Sequence, residues 1–274
     1  MGKLDNKVAI ITGSTRGIGK AIAHEFVREG AKVVITSSSM AHVEAAVAEF
    51  PPGTVHGCRC NIVSMADMER LLAAAVSRFG KVDCFINNAG ISDPFRTLAE
   101  SDPDEWGKVV DTNIKGTYNG CRVAINYFLS QNRQGKVINM AGSGSDRGSN
   151  TPCISAYGST KAAIARFTRA VAEEYRHRGI SVMLLHPGLV RTGMVSVEHP
   201  TPELLRQLAT FNTILDIFAQ SPLVAAKLAV KLASSWSDSK TGIYLSALSG
   251  FRKKGLLLSY PFRKILNRID RRTY

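Results

Sequence analysis

The sequence has few of the features that mark secreted, metal-binding or membrane-spanning proteins. Its 274 residues include five cysteines, which show neither disulfide-like spacing nor a paired C-x-x-C metal pattern. No apolar run approaches the roughly 18 residues of a membrane span, and the charged N-terminus does not resemble a signal peptide. These absences predict a reduced, cytoplasmic protein that holds no metal.

Acidic residues are scarce relative to basic ones, and the imbalance is concentrated at one end. The net charge is +13, and residues 251–274 carry eight Lys or Arg against one acid, which is +7 of that total. The first 250 residues show no basic stripe interleaved with aromatics, the pattern of single-strand binders. We therefore expect no nucleic-acid partner.

The rest of the sequence alternates short apolar runs with stretches of helical period. Strands are expected near 8–11, 32–36, 54–60, 82–86, 136–140, 180–185 and 243–245, and a long helix over about 103–131. Strands separated by helices form parallel sheets with right-handed crossovers. The pattern predicts an α/β fold with a doubly wound, seven-stranded parallel sheet flanked by helices, in one domain over residues 1–250.

A glycine-rich turn follows the first expected strand and opens a helix. Gly13 permits the tight turn, Gly17 lets backbone approach a pyrophosphate, and Gly19 allows close packing of helix on strand. The helix N-terminus offers free N–H groups to phosphates. The turn predicts a Rossmann-type dinucleotide site made by Gly13, Ser14, Thr15, Arg16, Gly17, Ile18 and Gly19.

The second strand lacks the terminal carboxylate with which NAD-binding proteins hold the ribose 2′-hydroxyl. It ends in Thr36 and three serines. Arg16, inside the glycine turn, and the hydroxyls of Ser37 and Ser38 can instead meet a 2′-phosphate. NADP(H) is therefore favoured over NAD(H), the alternative being that Arg16 is a solvated turn residue.

Tyr157 and Lys161 lie four residues apart in a stretch of helical period, so their side chains share one face. A phenol and an ammonium group placed together can handle a proton for one small molecule. The alternative is a surface tyrosine and a solvated lysine on an amphipathic helix.

Together these motifs resemble those of the classical short-chain dehydrogenases/reductases. The matching residues occur in that family's order over about residues 5–250: Thr12-Gly-x-x-x-Gly17-Ile-Gly19, Asn87-Asn88-Ala89-Gly90, Asn113, Tyr157-x-x-x-Lys161 and Pro187-Gly188-x-x-x-Thr192. The resemblance implies an NADP-dependent oxidoreductase that reduces a ketone, or oxidises a secondary alcohol, by hydride transfer. It also implies a homodimer or homotetramer.

The resemblance assigns further contacts and roles. Contacts implied at the adenosine end of the cofactor are Asn61, Ile62, Asn87, Ala89 and Gly90, with Asn61 standing where the family usually has Asp. Contacts implied along the nicotinamide are Pro187, Gly188, Val190 and Thr192. Asn113 is implied to kink its helix and hold a water for proton relay, the alternative being a buried structural Asn.

Tyr157 is the implied acid/base. Lys161, together with the positive charge of the oxidised nicotinamide, is expected to stabilise the phenolate and so to lower the pKa of Tyr157. Lys161 is also expected to hold the ribose. The catalytic serine is less clear, because counting forward from Asn139 and back from Tyr157 lands on two different glycines. Ser143 lies between them and is preferred, with Ser145 as the alternative.

The segment between Thr192 and about residue 220 covers the substrate in this family. Here it is more apolar than one helix stripe needs, and includes Leu204, Leu205, Leu208, Phe211, Ile214, Leu215, Ile217 and Phe218. It predicts an apolar or acyl-type substrate, with ordinary packing as the alternative.

Residues 251–274 form a basic extension that departs from the family. Pro261 is expected to begin an amphipathic helix, with Phe262, Ile265, Leu266 and Ile269 opposite the cations. Such a helix can contact an anionic membrane peripherally, or pack on its own body or a neighbouring subunit.

A competing function is a non-catalytic nucleotide-binding regulatory or scaffold protein on the same fold. The irregular serine loop is its best support, and the intact Tyr157, Lys161 and Asn113 argue against it.

Overall fold

A computed structural model describes residues 2–145, 150–191, 201–269 and 272–274. Within them, seven strands form one sheet in the order β3-β2-β1-β4-β5-β6-β7, and every neighbouring pair is parallel. The strands are β1 (Val8–Ile11), β2 (Lys32–Ser37), β3 (Val55–Arg59), β4 (Cys84–Asn87), β5 (Gly135–Met140), β6 (Ile180–His186) and β7 (Tyr244–Ser246). The predicted seven-stranded parallel sheet is confirmed.

Helices cover both faces of this sheet. They are α1 (Gly17–Arg28), α2 (Met40–Val47), α3 (Met65–Phe79), α4 (Pro103–Val110), α5 (Gly116–Ser130), α6 (Ser155–Glu174), α7 (Pro202–Phe218), α8 (Pro222–Ala233) and α9 (Gly250–Ile265). Buried side chains of α1 and α8 pack on one face, and those of α3, α5 and α6 on the other. Strands β1, β4 and β6 are buried along their whole length because helices cover both sides.

The long helix expected over 103–131 is present but changes its winding. Between α4 and α5 the chain makes a π-helical turn at Asp111–Lys115, which contains the buried Asn113. Such turns insert one extra residue into a helix and often occur at functional sites. The expected irregularity at Asn113 is therefore observed.

The strand order places the crevice for a ligand. Strand β1 lies between β2 and β4, so the chain leaves it in opposite directions on the two sides. In open α/β sheets, ligands bind outside the carboxyl ends of the strands at this switch point. The glycine turn follows β1 there, and Asn88-Ala89-Gly90 follows β4.

Helix α9 does not begin at Pro261, as expected from the sequence, but at Gly250, and Pro261 lies inside it. The fixed φ of proline is itself helical, so the ring removes one backbone hydrogen bond without ending the helix. No helix among the described residues is both long enough and apolar enough to cross a membrane.

Candidate active site

The glycine turn and the segment after β4 pack directly on each other. Gly13 and Gly17 have φ angles of 62° and 57°, which side-chain-bearing residues rarely adopt. A β-carbon on Gly13 would lie 2.8 Å from the Cα of Ala89, and one on Gly19 would overlap the carbonyl oxygen of Gly13. The two motifs therefore form one tight backbone surface at the switch point.

Two polar side chains hold this surface in place. The Thr12 hydroxyl accepts hydrogen bonds from the backbone N–H groups of Asn88 and Ala89, both at 3.0 Å. The Asn88 side-chain amide donates to the carbonyls of Thr12 and Gly13, at 2.9 and 3.0 Å. Asn88 is thus a structural residue of the site that motif matching did not assign.

The N-terminus of α1 fits a pyrophosphate. Its N-cap residue, Arg16, makes no side-chain capping bond, and the first turn holds no acidic residue. The first N–H groups of a helix lack partners inside the helix, and its N-terminus carries a partial positive charge. These donors and the close backbone approach at Gly17 match what a dinucleotide requires.

Side chains around the turn divide into exposed and structural ones. Arg16 and Ser38 are exposed and Ser37 is half-buried. The Ser14 hydroxyl is instead buried, donating to the Ile11 carbonyl at 2.6 Å and accepting from the Thr36 N–H at 3.0 Å. Ser14 therefore joins β1 to β2 through its side chain.

The residues implied at the adenosine end also divide. Asn61 is exposed after β3, whereas the Ile62 side chain is buried against Gly116. The amide of Asn87 donates to the Asn139 side chain at 2.8 Å, inside the core between β4 and β5. The Asn87 side chain is thus engaged away from the glycine turn.

Helix α6 brings Tyr157 and Lys161 to the carboxyl end of β5. A β-carbon on Gly142 would overlap the Tyr157 hydroxyl, so this glycine admits the phenol to the strand end. The Lys161 ammonium donates to the Met140 carbonyl at 3.1 Å and lies 5.5 Å from the centre of the Tyr157 ring. The two side chains share one site, as their spacing predicted.

Burial dominates the ionisation of this pair. It raises the pKa of Tyr157 to about 12 and lowers the pKa of Lys161 to about 8, in both cases because the charged form loses solvation. Lys161 alone does not offset this burial, and the lowering expected from Lys161 together with the oxidised nicotinamide stays a prediction. Tyr157 therefore holds its proton at neutral pH, the state a proton donor needs.

Ser143 and Ser145, in the loop after β5, have different surroundings. Ser143 lines the cleft beside Tyr157 and Gly142. The buried Ser145 hydroxyl accepts from the Gly142 N–H at 3.0 Å and donates to the Lys161 carbonyl at 3.1 Å. Ser145 fastens the loop to α6, and Ser143 is the serine that faces the cleft.

The side chain of Asn113, in the π turn, makes hydrogen bonds to the loop after β4 and to helix α6. Its side-chain oxygen accepts from the Ile91 N–H at 2.9 Å, and its amide donates to the Ile91 carbonyl and the Thr160 hydroxyl, at 2.9 and 3.0 Å. The side chain is therefore a strut between the loop after β4 and α6, one residue before Lys161.

Asp93 is a second residue that the sequence did not point to. Its buried carboxylate accepts from the backbone N–H groups of Tyr157 and Ala156, at 3.1 and 3.4 Å. These groups belong to the first turn of α6, whose N-cap residue, Ile154, supplies no side-chain bond. Asp93 thus caps from a distant loop the helix that carries Tyr157.

These elements enclose a cleft of about 280 Å³. Pro187, Gly188 and Val190, from the loop after β6, line the cleft together with Ile18 from α1. Side chains of α7 add an apolar wall: Leu208, Phe211 and Leu215. Thr192, implied at the nicotinamide, lies outside the described residues.

Among the described residues, no group of three or more His, Cys, Asp or Glu side chains is arranged to hold a metal ion.

Arg191 forms an ion pair with Asp216 of α7 at the edge of the cleft. The candidate site thus consists of a glycine surface, a half-buried phenol beside a buried ammonium group, and an apolar wall.

This fold and site define a nicotinamide-dependent oxidoreductase. A family model for the short chain dehydrogenases matches residues 7–203, and the chain belongs to that family. Members of the family bind a nicotinamide cofactor and act on small molecules.

The chain is similar to proteins of different sizes and sources. It is 37% identical to a chloroplast chlorophyll(ide) b reductase, NOL, of Arabidopsis thaliana over 193 residues, which cover 68% of this chain and 55% of the relative. It is 32% identical to an uncharacterized oxidoreductase of Mycobacterium tuberculosis, over 90% of this chain and 97% of that one. The chain spans about half the length of the chlorophyll(ide) b reductases it matches.

Among solved structures, it resembles a 3-ketoacyl-(acyl-carrier-protein) reductase from Brucella melitensis complexed with NADH. The TM-score is 0.76 with 30% sequence identity, and the match covers 91% of this chain and 99% of that one.

Proposed function

We propose that this protein is an NADP(H)-dependent reductase of ketones, or dehydrogenase of the corresponding secondary alcohols, with an apolar or acyl-type substrate. The observation that carries the proposal is the cleft itself. It brings the Tyr157 hydroxyl and Ser143 into one cavity with the Pro187–Val190 loop and the apolar side chains of α7. Proton donor, carbonyl-orienting hydroxyl and hydrophobic wall thus surround a single space.

In this mechanism Tyr157 gives its proton to the carbonyl oxygen as negative charge develops there. The Ser143 hydroxyl donates a hydrogen bond to the same oxygen and orients the carbonyl. Lys161 stabilises the phenolate that remains, and Asn113 holds α6 in register beside it. When bound, the reduced nicotinamide supplies the hydride.

The choice of NADP(H) rests on charge. Arg16 is an exposed cation at the N-cap of α1, and the end of β2 offers hydroxyls where an acid would exclude a 2′-phosphate. We expect Arg16→Ser to lower kcat/KM for NADPH by about tenfold or more while leaving that for NADH unchanged. The control is Arg122→Ser, which removes an exposed arginine of α5.

The test of the whole proposal follows the absorbance of NADPH and of NADH across ketones graded from small and polar to long and apolar. We expect turnover with NADPH, increasing along the series. Preference for small polar ketones contradicts the substrate class, and preference for NADH contradicts the cofactor. Binding of NADPH without turnover of any ketone supports the scaffold alternative instead.

We also infer a homodimer or homotetramer in the cytoplasm. The half-exposed aromatic rings of Trp106 on α4 and Tyr118 on α5 support an assembly surface there. The five cysteines are free, as in a reducing compartment. Light scattering tests the assembly, and a fluorescent fusion tests the location.

A further inference from the structure

Helix α9 presents an unusual amount of apolar surface to solvent. Phe251, Leu258 and Ile265 are exposed to 93%, 75% and 81%, and Phe262 and Leu266 are exposed as well. At 100° per residue, these five side chains fall within an arc of about 100° and form one stripe along the helix. We call these five residues the α9 stripe. Exposed apolar patches of this kind mark interaction sites.

The stripe points away from the body of the protein. The half-buried side of α9 comprises Leu256, Ser259, Tyr260 and Arg263. Arg263 fastens the helix to α7 by donating to the Ile217 carbonyl at 2.7 Å, and it also donates to the Leu256 carbonyl at 3.0 Å. Packing against the body therefore involves a different side of α9 and leaves the stripe uncovered.

Exposed basic side chains lie along the same segment as the stripe: Arg252, Lys253, Lys254, Lys264 and Arg268. At 100° per residue, Arg252 and Lys254 border the stripe on its two sides. None of the five forms an ion pair within the described part of the chain, and α9 contains no acidic residue. The helix thus combines an apolar face with positive charge that no described residue neutralises.

From this arrangement we propose that the α9 stripe is a docking surface for an anionic lipid bilayer. A helix lying in the membrane interface buries its apolar face among the acyl chains while flanking Lys and Arg side chains reach the head groups. Anionic lipids complement the five cations. A second copy of this helix does not, because stripe-to-stripe contact would bring two sets of like charges together.

The test is co-sedimentation with vesicles of phosphatidylcholine alone, or containing roughly a third phosphatidylserine. We expect the intact chain to sediment with the anionic vesicles and much less with the neutral ones. Raising the salt to about 0.5 M should weaken binding, because the attraction between the cations and the lipid head groups then reaches only a few ångströms. Failure to sediment with anionic vesicles at low salt overturns the proposal.

Two variants separate the apolar and charged contributions. Phe251→Ser/Leu258→Ser/Ile265→Ser should weaken binding at least tenfold on both kinds of vesicle, as a rough lower bound. Arg252→Gln/Lys254→Gln should lose about twenty-fivefold on anionic vesicles, roughly fivefold for each cation that borders the stripe, and little on neutral ones.

Matched controls carry the same changes elsewhere on the surface. Met40→Ser/Leu98→Ser/Leu223→Ser removes three exposed apolar side chains, and Arg169→Gln/Lys227→Gln removes two exposed cations. Both should bind vesicles as the unmodified chain does. An equal loss of binding in these controls overturns the assignment to α9.

Light scattering distinguishes a protein partner. Suppose that the serine variant of the stripe forms a smaller assembly than the unmodified chain, and that the unmodified chain does not bind vesicles. The stripe then joins copies of this chain, and the proposal is wrong. Sedimentation requires no turnover, so this outcome is independent of the proposed reductase activity. Reduction of a water-soluble ketone by the same variant checks that its fold is intact.

Discussion

The cofactor side of the cleft and its substrate side are held with different firmness. Around the glycine turn, Thr12 and Asn88 make four partly buried hydrogen bonds to the backbone. On α7, by contrast, the side chains are half-buried or exposed, with the fully buried Leu204 as an anchor among those described. The cofactor side is held by specific hydrogen bonds, whereas the substrate side is held by apolar contacts.

This difference matches the demands on the two sides. Hydride and proton transfer need reacting atoms at set positions, and small displacements there are costly. An apolar wall instead contributes in proportion to the area it covers and accepts several shapes. Variants on the cofactor side should therefore lose orders of magnitude in rate with every substrate, whereas variants of α7 should lose a few-fold with some substrates.

Tyr157→Phe should show the largest effect. It removes the proposed proton donor while keeping the half-buried ring, so carbonyl reduction should fall by about three orders of magnitude. NADPH binding, followed by quenching of protein fluorescence, should stay near normal. Turnover retained in this variant would place the acid elsewhere.

Lys161→Met should abolish activity and yet stabilise the fold. Burial lowers the Lys161 pKa from 10.5 to about 8, so at pH 7 the folded protein holds a charge that has lost its solvation. Because methionine carries no charge, the variant's free energy of unfolding should be higher by about 1–3 kcal/mol.

The gain should depend on pH. Between about pH 8 and 10.5 the unfolded chain binds a proton that the folded chain has lost, so the stability of the unmodified protein rises. The difference in the free energy of unfolding between the two proteins, measured with urea, should therefore become smaller from pH 7 to 10.5. Lys108→Met, at an exposed site, is the control and should show no such narrowing. A variant less stable than the unmodified protein at pH 7 contradicts this account.

Asp93→Ala should cost both stability and rate. Loss of the cap on α6 should lower the free energy of unfolding by about 1 kcal/mol, and displacement of Tyr157 should lower kcat by about tenfold. Asp102 caps α4 in the same way, and Asp102→Ala should lose similar stability but keep kcat within about twofold. Asp93→Asn should restore most of the rate. Equal kcat in the two alanine variants would make Asp93 merely structural.

Changes on α7 should be the smallest. Leu208→Ser and Leu215→Ser should each raise KM for long apolar ketones by about three- to tenfold, since each removes apolar contact in the cleft. KM for small polar ketones should not change. Ile214→Ser is the control on the same helix, because its side chain is exposed outside the cleft. A uniform loss with every ketone would show that this wall, too, is rigidly coupled to catalysis.

The features that could be predicted from the sequence are those that depend on residues close together in the chain. The strands, the glycine turn and the Tyr157–Lys161 face are encoded by neighbours in the chain, through apolar runs, φ requirements and helical period. The seven-stranded sheet follows from them, and the structure confirms it. Local patterns were enough wherever the interacting groups lie within a few residues of each other.

Asp93 could not be found in that way, because it acts on a helix some sixty residues further along the chain. One signal was available: Ile154 precedes α6 where Ser, Thr, Asp or Asn is usual, so the first N–H groups need a distant acceptor. The effect of burial on the Tyr157 pKa could not be predicted for a related reason. Charge spacing is readable in a sequence, whereas the depth of burial that opposes ionisation is not.

The Tyr274 N–H donates to the Arg191 carbonyl at 2.9 Å, and Thr273 lines the cleft beside it. The two ends of this contact lie about eighty residues apart along the chain. During synthesis, β1 to β4 can pair while later residues are still being added. The rim at Arg191, however, must wait until residue 274 has emerged and a long loop has closed. A nascent chain should thus gain the ability to bind nucleotide before it gains a finished substrate cleft.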